Sequence, residues 1–178
     1  MKTSTQSTTQ STAQGTTPQL TNRSSTDLIV VHCSATGPDA DIGVEDITRW
    51  HLQRGFDTVG YHYVIRRNGT QERGRRESAI GAHVRGHNIN SVGVCLAGGV
   101  DAQGKPENNF TAAQFATLQD LLDELASRYP GARILGHRDL SPDLNGDGKI
   151  TPNEFVKACP SFDVRAWLAT RKQSAATV

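Results

Sequence analysis

Two aliphatic runs constrain the fold of this chain more than any other feature. Residues 28–31 read Leu-Ile-Val-Val and residues 91–97 read Ser-Val-Gly-Val-Cys-Leu-Ala, with no charged residue and no polar alternation in either. A strand with one face in water alternates apolar and polar side chains, so an unbroken run marks a strand covered on both faces. Covering both faces takes helices on both sides of a sheet, and the intervening segments supply them. Residues 43–54 place Val44, Ile47, Trp50 and His51 at spacings of three and four, which predicts an amphipathic helix that Gly55 ends. A second helix begins at Thr111, where Thr111 and Gln114 have capping-box spacing. Phe115, Leu118, Leu121, Leu122 and Leu125 carry its apolar stripe as far as Tyr129-Pro130-Gly131. Residues 61–66 and 70–73 flank Asn68-Gly69 and read as a hairpin, residues 133–136 as a short strand, and residues 164–171 as a closing helix. The expected fold class is therefore α/β, a single domain with a central mixed β-sheet flanked by helices.

The chain has 178 residues, room for one such domain and a tail. Residues 1–26 are almost entirely Ser, Thr, Gln and Asn, too polar to offset the entropy of ordering, and are expected to be a disordered tail. The domain then spans residues 27–172, with a short tail at 173–178. The amino-terminal stretch lacks the apolar segment of a secretory signal, and no run approaches the length that spans a membrane. A formal net charge of +1, from 19 basic and 18 acidic residues, gives no argument for nucleic acid as a specific partner. The basic residues do cluster, with Arg66, Arg67, Arg73, Arg75, Arg76 and Arg85 inside twenty positions. That cluster is either a solvated face or a patch for an anionic polymer. Three cysteines, Cys33, Cys95 and Cys159, make an odd number without tight pairing and point to a chain made in a reducing compartment.

Two groups of residues could carry chemistry. His32 ends the first strand, His137 follows the late one, and Cys159 lies in Lys-Ala-Cys-Pro. Two imidazoles and a thiolate suit zinc and leave a fourth position open, but for residues so far apart spacing alone favours ordinary core or surface histidines and a buried thiol. If His32 faces a site, Cys33 faces the core, because neighbours in a strand point to opposite sides. Cys95, inside an aliphatic strand, reads as a small hydrophobe. Pro160 favours an extended Cys159, and an extended segment would set Lys157 on the same side as that thiol.

The second group is compact. Residues 143–154 match the twelve-residue EF-hand loop, with Asp143, Asn145 and Asp147 at positions 1, 3 and 5 and Gly148 at 6. Lys149 would contribute its backbone carbonyl at position 7, with Thr151 at 9 and Glu154 at 12. Calcium is the expected ion. Ser141-Pro142 just before the loop leaves no entering helix, so the site reads as structural and not as a sensor.

Val-His-Cys-Ser-Ala-Thr at 31–36, Val-Gly-Tyr-His-Tyr at 59–63, the run from Asn88 to Gly99, Gly-His-Arg at 136–138 and Lys-Ala-Cys-Pro-Ser-Phe-Asp at 157–163 occur in order. With these motifs the chain resembles the amidase-type lysozymes of T-odd bacteriophages, within the type 2 amidase and peptidoglycan-recognition-protein superfamily. The resemblance covers roughly residues 27–168. It implies zinc held by His32, His137 and Cys159, with Tyr61 and Lys157 as further catalytic residues. The implied reaction is hydrolysis of the amide between N-acetylmuramic acid and L-alanine in bacterial peptidoglycan. His83 and Asn88 lie where the family lines its substrate groove, whereas His51 and His62 read as structural.

The implied biology is that of a monomeric endolysin. It is made in the host cytoplasm and reaches the wall once the membrane is permeabilised. Two other classes stand beside it. Some superfamily members bind peptidoglycan without cutting it, but Cys159, Tyr61 and Lys157 are all kept here. The phage lysozymes also bind and inhibit their phage's RNA polymerase, a partner the resemblance implies and the altered amino terminus argues against. The loop at 143–154 departs from the family by its insertion between two zinc ligands. Calcium there is expected to rigidify the insertion and help present Lys157 and Cys159.

Overall fold

The computed structural model describes residues 19–175. Strands β1 (Leu28–Cys33), β2 (Tyr63–Ile65), β3 (Gln71–Arg73), β4 (Ser91–Leu96) and β5 (Arg133–Gly136) form one sheet in the order β3-β2-β4-β1-β5. β1 lies between β4 and β5 and runs parallel to both, β2 is parallel to β4, and only the edge strand β3 is antiparallel. The sheet is mixed for that reason. All six residues of β1 and of β4 are buried, as runs without polar alternation require.

Helix α1 (Val44–Gln53), helix α2 (Ala112–Arg128) and helix α3 (Val164–Ala175) supply the cover. Leu118, Leu121, Leu122 and Leu125 of α2 pack on Ile29, Val31, Val92, Val94 and Leu96, and Phe162, Val164 and Trp167 extend the same core. On the opposite face Ile47 of α1 meets Val59, Val64 and Cys95. Leu28, Val30 and Leu135 pack against Val84 from the loop before β4. Thr111 caps α2 as its sequence spacing predicts: its hydroxyl oxygen accepts from the Gln114 amide at 3.1 Å, and the Gln114 side chain returns to the Thr111 amide. Gly55 closes α1 at φ +81°, a left-handed conformation that an L side chain resists.

Two expectations need revision. Residues 1–18 of the anticipated tail lie outside the described residues, but residues 20–26 are held to the domain. Asn22 bridges to Ala79, the Arg23 amide donates to Ser78 O at 2.7 Å, and the Ile80 amide donates to Thr21 O at 2.8 Å. The Arg23 guanidinium donates to the carbonyls of Glu77 (2.6 Å) and Ala79 (2.8 Å) and to the Thr26 hydroxyl. The arginine cluster, in turn, is divided: Arg73, Arg76 and Arg85 are exposed, and the other three are held by partners within the protein. Arg67 donates to Ala97 O, Asn109 O and Gln114, buried Arg75 to Val59 O and Ile80 O, and Arg66 pairs with Asp41 and Glu72. Among the described residues, no helix is long and apolar enough to cross a membrane.

Candidate metal centre and its cavity

Parallel pairing brings the first two candidate ligands together. The β1–β5 register ends at Val31 opposite Gly136, so His32 and His137 are the next residues on adjacent parallel strands. Strands about 4.8 Å apart place such residues side by side, and the two imidazole centroids are 4.7 Å apart. Both sit at the carboxyl end of the parallel strands, where open α/β sheets form their crevices. Cys159 arrives from the far side of the inserted loop and is tied in twice. Its carbonyl accepts from the Arg138 amide at 2.8 Å, and its Sγ accepts from the Cys33 amide at 3.2 Å. Sγ then lies 3.8 Å from His32 Nδ1.

The ligand atoms of His32, His137 and Cys159 all fall within 4.8 Å of one another, a set that could hold a metal ion. Burial lowers the His32 pKa well below the usual histidine value, aided by His83, His137 and Lys157. Burial and then Lys157 bring His137 down to about 4. Both imidazoles are therefore neutral near pH 7, the form in which a nitrogen lone pair is free for a cation.

The centre opens into a cavity of about 860 Å³. Tyr61 and Lys157 both line it, together with His83, Asn88, Arg54 and Arg85. The Tyr61 ring lies between His32 (centroids 5.2 Å apart) and His51 (5.5 Å). Burial pushes its hydroxyl pKa well above the ordinary tyrosine value, so Tyr61 is a neutral hydrogen-bond donor and not a phenolate. Lys157 is exposed at the rim. His83 is not placed as a simple substrate contact, because both ring nitrogens are engaged inside the protein: Nδ1 with His32 Nε2 at 2.9 Å, Nε2 with Ser91 Oγ at 3.3 Å. Asn88 Oδ1 accepts from the amides of His83 and Val84, which shapes the loop under the cavity wall. His51 accepts the Gly60 amide on Nδ1, and His62 accepts the Gly93 amide on its own Nδ1, so both brace backbone.

Two residues at this centre were not legible as such. Cys33 is buried, but it lies at the end of the sheet, against Gly99 and Ser161 and beside Cys159, and not in the depth of the core. Ser91, at the first position of β4, contacts His83, and no local pattern announces that contact. The loop at 143–154 is held by hydrogen bonds of its own. Among the described residues the acids of the loop do not converge into a metal-holding group. They accept backbone amides: Asp143 from Gly146 and Gly148, Asp147 from Lys149, and Glu154 from Leu144, Asn145 and Thr151. A single 3-10 turn, His137–Leu140, precedes it, and a second, Pro152–Glu154, forms its last three residues.

With the site described, its relatives are informative. Residues 22–154 match the N-acetylmuramoyl-L-alanine amidase family. The endolysin of Klebsiella phage KP32 is 49% identical over 149 residues, covering 84% of this chain and 89% of that protein. The endolysin of Escherichia phage T7 is 46% identical over 149 residues, with the same coverage of 84% and 89%. Among solved structures, the N-acetylmuramoyl-L-alanine amidase LysC from Clostridium intestinale URNW superposes with a TM-score of 0.67 at 24% identity, over 89% of this chain and 91% of that one. That likeness speaks for the fold; the family match and the phage relatives speak for the chemistry. The chain belongs to the N-acetylmuramoyl-L-alanine amidase family, and it is an amidase related to the endolysins of these phages.

Proposed function

We propose that this protein is a zinc-dependent phage endolysin that hydrolyses the amide between N-acetylmuramic acid and L-alanine in host peptidoglycan. It would act as a monomer, made in the host cytoplasm and reaching the wall after the membrane is permeabilised. The observation that carries the reading is the convergence of His32, His137 and Cys159 at the bottom of a cavity walled by Tyr61 and Lys157. The donors fit zinc: two neutral imidazoles and one sulfur, from three separate segments, with room left for a further ligand on the cavity side. Bound zinc supplies polarisation of the scissile carbonyl and a water whose pKa is lowered toward about 7.

The side chains of this protein do the rest. The Lys157 ammonium, at the rim beside both imidazoles, stabilises the negative charge that develops on the carbonyl oxygen. The neutral Tyr61 hydroxyl donates a hydrogen bond that orients the reacting groups, and its raised pKa keeps that proton in place at neutral pH. Asn88 and the wall around His83 contact the glycan–peptide. The loop at 143–154 binds calcium as a structural ion, a proposal supported by its pattern of oxygen donors; titration calorimetry with calcium alone tests it.

The deciding experiment is product analysis of purified peptidoglycan by mass spectrometry, with native protein, a chelated sample and a Cys159→Ala variant. Free stem peptides beginning with L-alanine, lost in both controls and restored to the chelated sample by zinc, are expected. Intact peptidoglycan that nonetheless pulls the protein down would mean a binding module without catalysis.

A further inference from the structure

His83 is half-buried in the cavity wall and touches one member of the metal set, and the hydrogen bonds around it admit only one arrangement of protons. Ser91 Oγ lies 2.6 Å from the His87 carbonyl. A carbonyl only accepts, so the single hydroxyl hydrogen of Ser91 is spent there. Toward His83 Nε2, 3.3 Å away, Ser91 Oγ must therefore accept, which places a hydrogen on His83 Nε2. A neutral imidazole has one N–H, so His83 Nδ1 carries a lone pair, and it faces His32 Nε2 at 2.9 Å. His32 Nε2 then holds the hydrogen of that bond, and the lone pair of His32 is left on Nδ1. That is the nitrogen 3.8 Å from Cys159 Sγ.

We propose that His83 is a positioning residue that fixes the tautomer and ring orientation of His32, with Ser91 and the His87 carbonyl as the anchor of the chain. The inference rests on reading His32, His137 and Cys159 as metal ligands. It assigns His83 a role that acts through His32 and not through direct contact with substrate. Two glycines make the slot for the His83 ring. A Cβ on Gly93 would lie 2.6 Å from His83 Cγ, and one on Gly81 would lie 2.4 Å from Cδ2. Gly93 sits in the middle of a fully buried strand, where glycine ordinarily weakens the strand; the approach of the His83 ring is the reason it is there.

Outer partners that hold a ligand imidazole are worth 10- to 100-fold in metal affinity. Zinc dissociation constants measured by chelator competition are therefore expected to rise about 10- to 100-fold in His83→Phe, which keeps a ring and removes both hydrogen-bonding atoms. His83→Gln, which can still accept from His32 and donate to Ser91, is expected to recover most of that loss. Melting of the metal-free proteins checks that the variants fold. If His83→Phe does not fold, nitrogen-15 spectra of the native metal-free protein decide: hydrogens on Nε2 of both His32 and His83 are expected, and a hydrogen on His83 Nδ1 overturns the proposal. His83→Phe binding zinc as tightly as native protein overturns it too, and leaves the metal reading intact. Native protein that does not bind zinc, or a His32→Ala variant that binds it equally well, overturns the metal reading itself.

Discussion

Replacing Arg23 with alanine tests whether the amino-terminal segment is part of the folded unit. The guanidinium donates to the Glu77 and Ala79 carbonyls, to the Thr26 hydroxyl twice, and stacks 5.9 Å from the centroid of the Tyr129 ring. In Arg23→Ala the Ala79 carbonyl keeps the His62 imidazole at 3.0 Å, but the Glu77 carbonyl loses its donor. A partly buried carbonyl left without its charged donor costs about 1–3 kcal/mol, and loss of the cation–π contact adds about 0.5–1 kcal/mol. Against these stands relief of a cation whose own pKa is lowered by burial. The net expectation is about 2–3 kcal/mol, which for a domain of this size lowers the melting temperature by roughly 5–10 °C. Arg23→Lys keeps the charge but not the fork of donors and should recover less than half. Thermal and urea unfolding measure both. A loss below about 0.5 kcal/mol in Arg23→Ala would refute the reasoning and return residues 20–26 to the status of a loose tail.

The remaining predictions are narrower. His62 is held neutral by burial, with a pKa of about 4, and its Nδ1 already accepts the Gly93 amide, so it cannot take up a proton there without breaking that bond. An unfolded histidine titrates near 6.5, so the unfolded state binds the extra proton between about pH 6.5 and 4 and stability falls through that window, by up to about 3 kcal/mol; urea unfolding of His62→Gln should show a flatter pH dependence. Thr111→Ala removes the cap of α2 and the donor to Arg67 O at 2.8 Å, and should cost about 1–2 kcal/mol in denaturant unfolding. Zinc at a hundredfold excess over its dissociation constant should raise stability by about 2.7 kcal/mol relative to chelated protein, and Cys159→Ala should abolish the difference. Glu154→Gln should speed proteolysis within residues 143–154 while peptidoglycan turnover stays within about twofold of native, a change small beside the roughly 10²-fold costs of disturbing reacting groups.

How much of this was readable in the sequence depends on the range over which each signal acts. The strands at 28–31 and 91–97 and the cap at Thr111 were legible because burial on both faces and capping leave patterns within a few residues. His32 and His137 were recognisable as candidates, but their adjacency is a consequence of β1 and β5 being neighbours, which residue spacing does not encode. Cys33 was misplaced because the rule of alternating faces says which side a strand residue takes, not that the strand ends there. Arg23 falls inside the polar stretch at 1–26, and nothing around it in the sequence announces a structural role. Its partners are carbonyls of residues 77 and 79, and a backbone acceptor has no sequence signature. The same limit hid Ser91, whose part in the His83 chain depends on one hydroxyl hydrogen being committed to His87 O.

The inserted loop shows why local pattern and function can separate. If calcium were needed to present Lys157 and Cys159, the segment carrying them would have to depend on the loop for its position. It does not. The neck of the insertion is closed by the Val156 amide donating to Ser141 Oγ at 3.0 Å, and the Arg138 guanidinium lies 5.0 Å from the centroid of the Phe155 ring. The same Arg138 holds Cys159 O through its amide and pairs with Asp163 at 3.1 Å. Lys157 thus lies two residues from an anchored Phe155 on one side and two from an anchored Cys159 on the other. Residues 143–149 are exposed beyond that neck, Leu144 to 73%, while Glu154 is buried beneath them. Ordering the projection by calcium would protect it, and would reach the catalytic groups only if the Arg138 anchor were weak. Arg138, next in sequence to a proposed ligand, is therefore where substitution should couple the loop to turnover: Arg138→Ala should make activity sensitive to calcium, which the native protein should not show.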